Sequence, residues 1–178
     1  MGGDFGQRRA GSCQILANLE NLAALTGKLD RLDMRLLACL QDDNLQTADV
    51  LAEKVGRSPS AVARRLRRLR ASGAIAAEAA IVSEEAAGFP LSAVVNVQFE
   101  RHAAQEISRF RRRICASPNV QLCLDLAGAF DVLLLVVARD MDAYNDFAAM
   151  LEQPPVRRFE TTFVKKRVKA TLAVPLEI

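Results

Sequence analysis

The chain has 178 residues, 51% of them hydrophobic, with 24 Lys and Arg against 21 Asp and Glu, for a net charge of +3. That composition suits one large or two small packed domains and lies far from the disordered class. No uncharged apolar run approaches the ~20 residues needed to span a bilayer, which argues against a transmembrane helix or a membrane partner. The N-terminus carries Arg8 and Arg9, but Asn18, Glu20 and Asn21 soon break its apolar stretch, so it does not read as a signal peptide. A cytoplasmic, nucleoid-associated protein is expected.

The charge is unevenly spread. Residues 29–82 carry nine basic and seven acidic side chains, 83–160 carry eight and eleven, and 161–178 carry four and one. The basic island is RSPSAVARRLRRLR (Arg57 to Arg70), with six arginines and no acid. A local island of this kind suits contact with a polyanion. The cysteines, Cys13, Cys39, Cys115 and Cys123, form no close C-x-x-C pair, and His102 is the sole histidine. Neither a metal site nor a cofactor is therefore expected.

In chain order, the glycine-bearing residues 1–28 read as an extension, partly disordered, with a short helix between Ile15 and Leu25. Leu32, Leu36, Leu37 and Leu40 then recur at helical spacing and predict a helix over 30–41. Thr47 caps a second helix with Val50, Leu51 and Val55 as its apolar stripe, and Gly56 stops it. Ser58 at N-cap and Pro59 at N1 start a third, which Gly73 ends. An extended segment follows from Ala74 to Val82. The pattern spells a winged helix-turn-helix domain over 29–82.

Residues 83–90 form a linker ending in Gly88-Phe89-Pro90. Alternation through Leu91, Ala93, Val95, Val97 and Phe99 predicts a half-buried strand, and Ile107, Phe110 and Ile114 a helix over 103–116. Val120, Leu122, Leu124 and Leu126 alternate again, and 130–138 form an apolar strand. Met141, Tyr144, Phe147, Ala148 and Leu151 mark a helix over 140–152, and 156–173 a long last strand. The order over 91–178 is a ferredoxin-like βαββαβ unit, so the chain is α+β. With both helices on one face, the other sheet face implies self-association.

On a helical wheel, Val62, Leu66 and Leu69 seat the third helix. Ser60, Ala61, Arg64 and Arg68 face outward, where a major groove offers guanine edges, phosphates and thymine methyls. Arg57, Arg65, Arg67 and Arg70 suit phosphate clamps, and Ser58 opens the helix at the same surface. The expected partner is double-stranded DNA. A solvated face would instead mix signs, and a membrane-surface helix would carry bulky apolar residues that this one lacks.

LDRLDMRLLACLQDD, LAEKVGRSPSAVARRLRRLRASGAI, GAFDVLLLVV and TTFVKK together resemble the Lrp/AsnC, or feast/famine, family of transcription regulators, over about 29–173. The resemblance implies an N-terminal DNA-binding domain, and a C-terminal domain that dimerises through its sheets, often builds octamers, and binds an amino-acid effector. By position it implies an effector loop at Gly128, Ala129, Phe130 and Asp131, with hydroxyls from Thr161 and Thr162. Asp131 could hold an ammonium or merely cap a turn, and Gly128 could admit a ligand or merely turn a hairpin. Phe130 stands where the family often has tyrosine, and Pro154-Pro155-Val156 where it usually has a glycine. An architectural DNA-binding protein without effector is the alternative. Some relatives of this architecture are tetrapyrrole decarboxylases, but Gln121 to Val137 here holds no His, Arg or Lys, and no catalytic constellation is present. No enzyme is expected.

Overall fold

The computed structural model of the chain describes residues 29–100 and 104–178. The expected helix at 15–25, Cys13 and His102 lie outside the described residues. Two compact units emerge. Among the described residues, one gathers those from 29 to Ala80 together with Ala170–Ile178, and the other those between Ile81 and Lys169.

The first unit contains α1 (Arg31–Asp42), α2 (Ala48–Val55) and α3 (Pro59–Ala71). Asp30 caps α1 by accepting from the Asp33 N–H at 2.8 Å, while the Asp33 carboxylate accepts from the Asp30 N–H at 3.1 Å. This is a reciprocal capping box. Thr47 caps α2, and Gly56 closes it at φ 66°, a left-handed conformation that glycine adopts without strain. Ser58 then caps α3, accepting from the Ala61 N–H at 3.4 Å. Gly73 turns the chain at φ 78°, and Ile75 returns to pack on the core. That core is Leu36, Leu51, Ala52, Val55, Val62, Leu66 and Leu69. Val50 departs from the expected stripe. It is exposed, and Ala52 takes the inward place on α2. Residues 76–82 run on without strand pairing.

The second unit is an antiparallel sheet in the order β2-β3-β1-β4, built from β1 (Leu91–Phe99), β2 (Val120–Asp125), β3 (Val132–Ala138) and β4 (Val156–Phe163). Two helices, α4 (Ala104–Ala116) and α5 (Met141–Ala149), cover one face. Phe110, Ile114, Tyr144 and Phe147 from these helices meet Ala93, Val95, Val97, Val132, Leu134 and Val136 from the sheet. The other face carries Leu122 and Leu124 opposite Leu135 and Leu133, beside Val94, Asn96 and Gln98.

Three expectations are corrected here. The alternation of Val120 with Leu122 does not put them on one face. A bulge between them shifts the register, so Val120 packs inward while Leu122 turns to the open face, with Cys123 inward beyond it. One extra residue inverts every side chain that follows it. The last strand stops at Phe163 rather than near 173. Its partner β1 begins at Leu91 after Pro90, which has no N–H, so pairing ends with the Val164 N–H on the Ser92 carbonyl at 2.8 Å. Finally, 170–178 does not stay with the sheet. The Gln41 side chain donates to the Val174 carbonyl at 3.0 Å and accepts from the Val174 N–H at 2.8 Å, fastening the tail to α1. A primary amide presents a donor and an acceptor in the same spacing as a peptide group, which makes this pairing possible.

Candidate nucleic-acid interface and effector loop

The α3 helix seats Val62, Leu66 and Leu69 in the core and turns the rest outward. Ser58, Ser60, Arg57, Arg64, Arg67 and Arg68 are exposed, and Ala61 and Arg65 half-buried. Ser60 Oγ lies 3.3 Å from Ser58 Oγ, and Arg57 donates to the Gly56 carbonyl at 3.1 Å. Pro59 is at N1, where its missing N–H costs nothing. The surface therefore offers two hydroxyls, a methyl and the Arg57 guanidinium at the N-terminal end of the helix, with Arg64, Arg67 and Arg68 further along it.

The expectation that these six arginines lack counter-charge is corrected. Arg65 donates to Asp30 at 2.6 Å and to Asp33 at 2.9 Å. Arg68 donates to the same Asp33 carboxylate, and Arg70 meets Glu78 at 2.8 Å. Among the described residues, Arg57, Arg64 and Arg67 have no carboxylate partner. Arg68, expected among the outward readers, and Arg65, expected as a phosphate clamp, are both tied to the head of α1. The cause lies outside the window that the pattern spans. Asp33 is 32 residues from Arg65 and 35 from Arg68. Its signal was legible in principle, as an acid at the head of the stripe that continues through Leu36, Leu37 and Leu40. The N–H of Asp33 and then the Arg65 guanidinium hold the Asp30 carboxyl below its ordinary value of 3.8. Arg70 does the same to Glu78, and the carboxylates raise both arginines in return.

The loop 128–131 is built differently. Gly128 is open, with nothing within 4 Å of the place a Cβ would take, and its backbone is not left-handed. Steric demand does not explain the glycine, and a group approaching from solvent would meet bare backbone. The Asp131 carboxylate accepts from the Phe99 N–H at 2.7 Å, and the Asp131 N–H donates to the Val97 carbonyl at 2.9 Å. The Asp131 carboxylate thus ties the loop to the end of the neighbouring strand β1. Phe130 lies beneath the Arg158 guanidinium, 5.4 Å from the ring centroid, a cation–π contact. Gln98 donates to the Ala129 carbonyl at 3.2 Å.

Thr161 and Thr162 are neighbours on β4. They point to opposite faces of β4, opposite Val95 and Val94 respectively. Thr161 shares a hydrogen bond with the Tyr144 hydroxyl of α5, while Thr162 is exposed on the open face. Sequence reasoning missed Arg158 and Gln98, which the β1–β4 register places opposite each other and beside the loop. No local pattern announces a cross-strand neighbour. Among the described residues, no group of three His, Cys, Asp or Glu is placed to hold a metal ion, and no helix is long and apolar enough to cross a membrane.

Comparison with known proteins places these features. Residues 29–76 match the model for a winged helix-turn-helix DNA-binding domain, and 92–174 that for the Lrp/AsnC ligand binding domain. An uncharacterised HTH-type transcriptional regulator of Sinorhizobium fredii is 42% identical over 153 residues, 85% of this chain and 90% of the relative. The Bkd operon transcriptional regulator of Pseudomonas aeruginosa is 34% identical over 151 residues, 84% of this chain and 99% of the relative. Among solved structures, a transcriptional regulator from Neisseria meningitidis in complex with L-Met superimposes with a TM-score of 0.76 at 30% identity, covering 83% of this chain and 97% of that one.

Proposed function

The chain belongs to the Lrp/AsnC family of transcription regulators, a DNA-binding regulator rather than an enzyme, and from that premise we propose how its parts divide the work. The α3 helix reads operator DNA through Arg57, Ser58, Ser60, Ala61, Arg64 and Arg67. The observation that carries this is the outward face of α3, where Arg64 and Arg67 stand exposed without a carboxylate partner along a helix capped by Ser58. Guanidinium groups there can grip guanine edges or phosphates, and the serines and Ala61 supply hydroxyl and methyl contacts. Footprinting on promoter DNA tests it. Arg64→Ala with Arg67→Ala should remove the protected region while the protein stays folded, and unchanged protection would refute the assignment.

The sheet unit supplies self-association and effector sensing. The half-buried Leu133 and Leu135 with the more exposed Leu124 make an apolar strip that a second copy would cover, giving a dimer and, by further association, an octamer. An amino acid would bind at Gly128–Asp131, its carboxylate held by Arg158 and its body set against Gly128 and Phe130. The L-Met complex of the Neisseria regulator supports that ligand class. Against it stands the architectural reading, favoured by the commitment of Asp131 to the Phe99 N–H. A thermal-shift screen of the standard amino acids on wild type and Arg158→Ala separates the two. Stabilisation lost in the variant supports the effector, and no stabilisation in either supports the architectural protein.

A further inference from the structure

Asp33 is fully buried on α1. Removing a carboxylate from water is costly, and such a group persists only where its oxygens are satisfied. Here they are. One oxygen accepts from Arg65 at 2.9 Å, and the other from Arg68 and from the Asp30 N–H at 3.1 Å. Asp30 adds a second grip on Arg65 at 2.6 Å. Two carboxylates meet two guanidiniums, so the cluster is neutral.

The hydrophobic seat alone leaves α3 an ambiguity. Arg64, Arg67 and Arg68 all point away from Val62, Leu66 and Leu69, and one residue subtends about 100° on a helix. A modest roll would exchange which guanidiniums meet a groove. Arg65 and Arg68 are one turn apart, so a single carboxylate holding both pins α3 against rolling and against sliding along its axis.

We infer that Asp33 is a positioning residue for operator recognition, locking α3 through Arg65 and Arg68 so that Arg57, Arg64 and Arg67 are the guanidiniums presented to DNA. This rests on α3 being the reading helix. It also assigns the helix's charge. Paired internally, Arg65 and Arg68 release no counterions on binding, whereas each phosphate contact by a free arginine does.

The test uses the full-length protein and a duplex it selects from a random pool, titrated over a range of salt, with thermal unfolding of each variant in parallel. Arg64→Ala and Arg67→Ala should each flatten the salt slope by about one. Arg68→Ala should lower the melting temperature and leave the slope at its wild-type value. Asp33→Asn frees a positive charge and the helix together. Its slope should steepen, and its preference for the selected over a random duplex should fall about tenfold. The lock is overturned if Arg68→Ala flattens the slope as Arg64→Ala does with thermal stability intact, or if folded Asp33→Asn keeps both slope and preference. Should Asp33→Asn fail to fold, the Arg68→Ala slope decides alone. If neither Arg64→Ala nor Arg67→Ala weakens binding, it is the reading helix that fails rather than the lock.

Discussion

The α3 surface and the loop 128–131 are two candidate binding sites made in opposite ways. On α3 the groups come from one periodic element. A capped start and three seated apolar residues are enough to say which side chains face out. Around the loop the groups come from two strands and the loop itself. Arg158 on β4, Gln98 on β1 and Phe130 and Asp131 in the loop meet only because register places them together. A helical site depends on spacing within a few turns, whereas a sheet site depends on pairings between distant segments.

The contrast can be broken most forcefully at α3. Losing Arg64 and Arg67 together should weaken selected-duplex binding about a hundredfold or more, at 1–3 kcal/mol per good contact, while any amino-acid-induced thermal shift persists. A loss of both responses would show that the two sites are not separable. The next effect is at the loop. Asp131→Ala removes a charged acceptor from the Phe99 N–H and should destabilise the sheet unit by about 1–2 kcal/mol in denaturant unfolding. A full-sized ligand shift in that variant would confirm that Asp131 builds the loop without touching the ligand.

Tyr144→Phe should cost about 1 kcal/mol, since Thr161 loses its hydroxyl partner. If stability holds and only the ligand response goes, Thr161 serves the effector after all. The carboxylates of the first unit sharpen the comparison by pH. Asp30 and Glu78 are held below their ordinary values of 3.8 and 4.5. A depressed folded pKa stabilises above the unfolded value and ceases to as pH falls through the folded one. Melting temperature against pH should therefore be flat in this respect above about pH 5 and fall below it, and Glu78→Gln should remove the upper part of that decline. The smallest effect belongs to the tail. Gln41→Ala breaks both bonds to Val174 and should speed amide exchange around Val174, with a stability loss of about 0.5–1 kcal/mol.

Much of the fold was legible for physical reasons that act locally. Thr47, Gly56, Ser58 and Pro59 terminate helices through their own backbone chemistry and sit where they were expected. The strand alternation of 91–99 was equally plain, because an inward residue at every second place leaves little freedom. The misreadings lie where distant partners decide. Val50 looked apolar enough to be buried, but the packing of α2 turned Ala52 inward instead. The bulge after Val120 moved Leu122 and Leu124 to the open face, and β4 ended because β1 had no more backbone to offer.

The arginine helix itself divides along the same line. Residue order alone determined that 59–71 is a helix, which of its sides is dry, and that five guanidiniums crowd onto it with a sixth, Arg57, just before its cap. Only tertiary structure decided which of those charges stay without a carboxylate partner, since Asp33 reaches Arg65 and Arg68 and Asp30 reaches Arg65 from the head of another helix, and Glu78 reaches Arg70 from the segment beyond the helix. Helical periodicity is set by bonds four residues long, but charge is neutralised through space. A sequence states the first directly and the second only once it has folded.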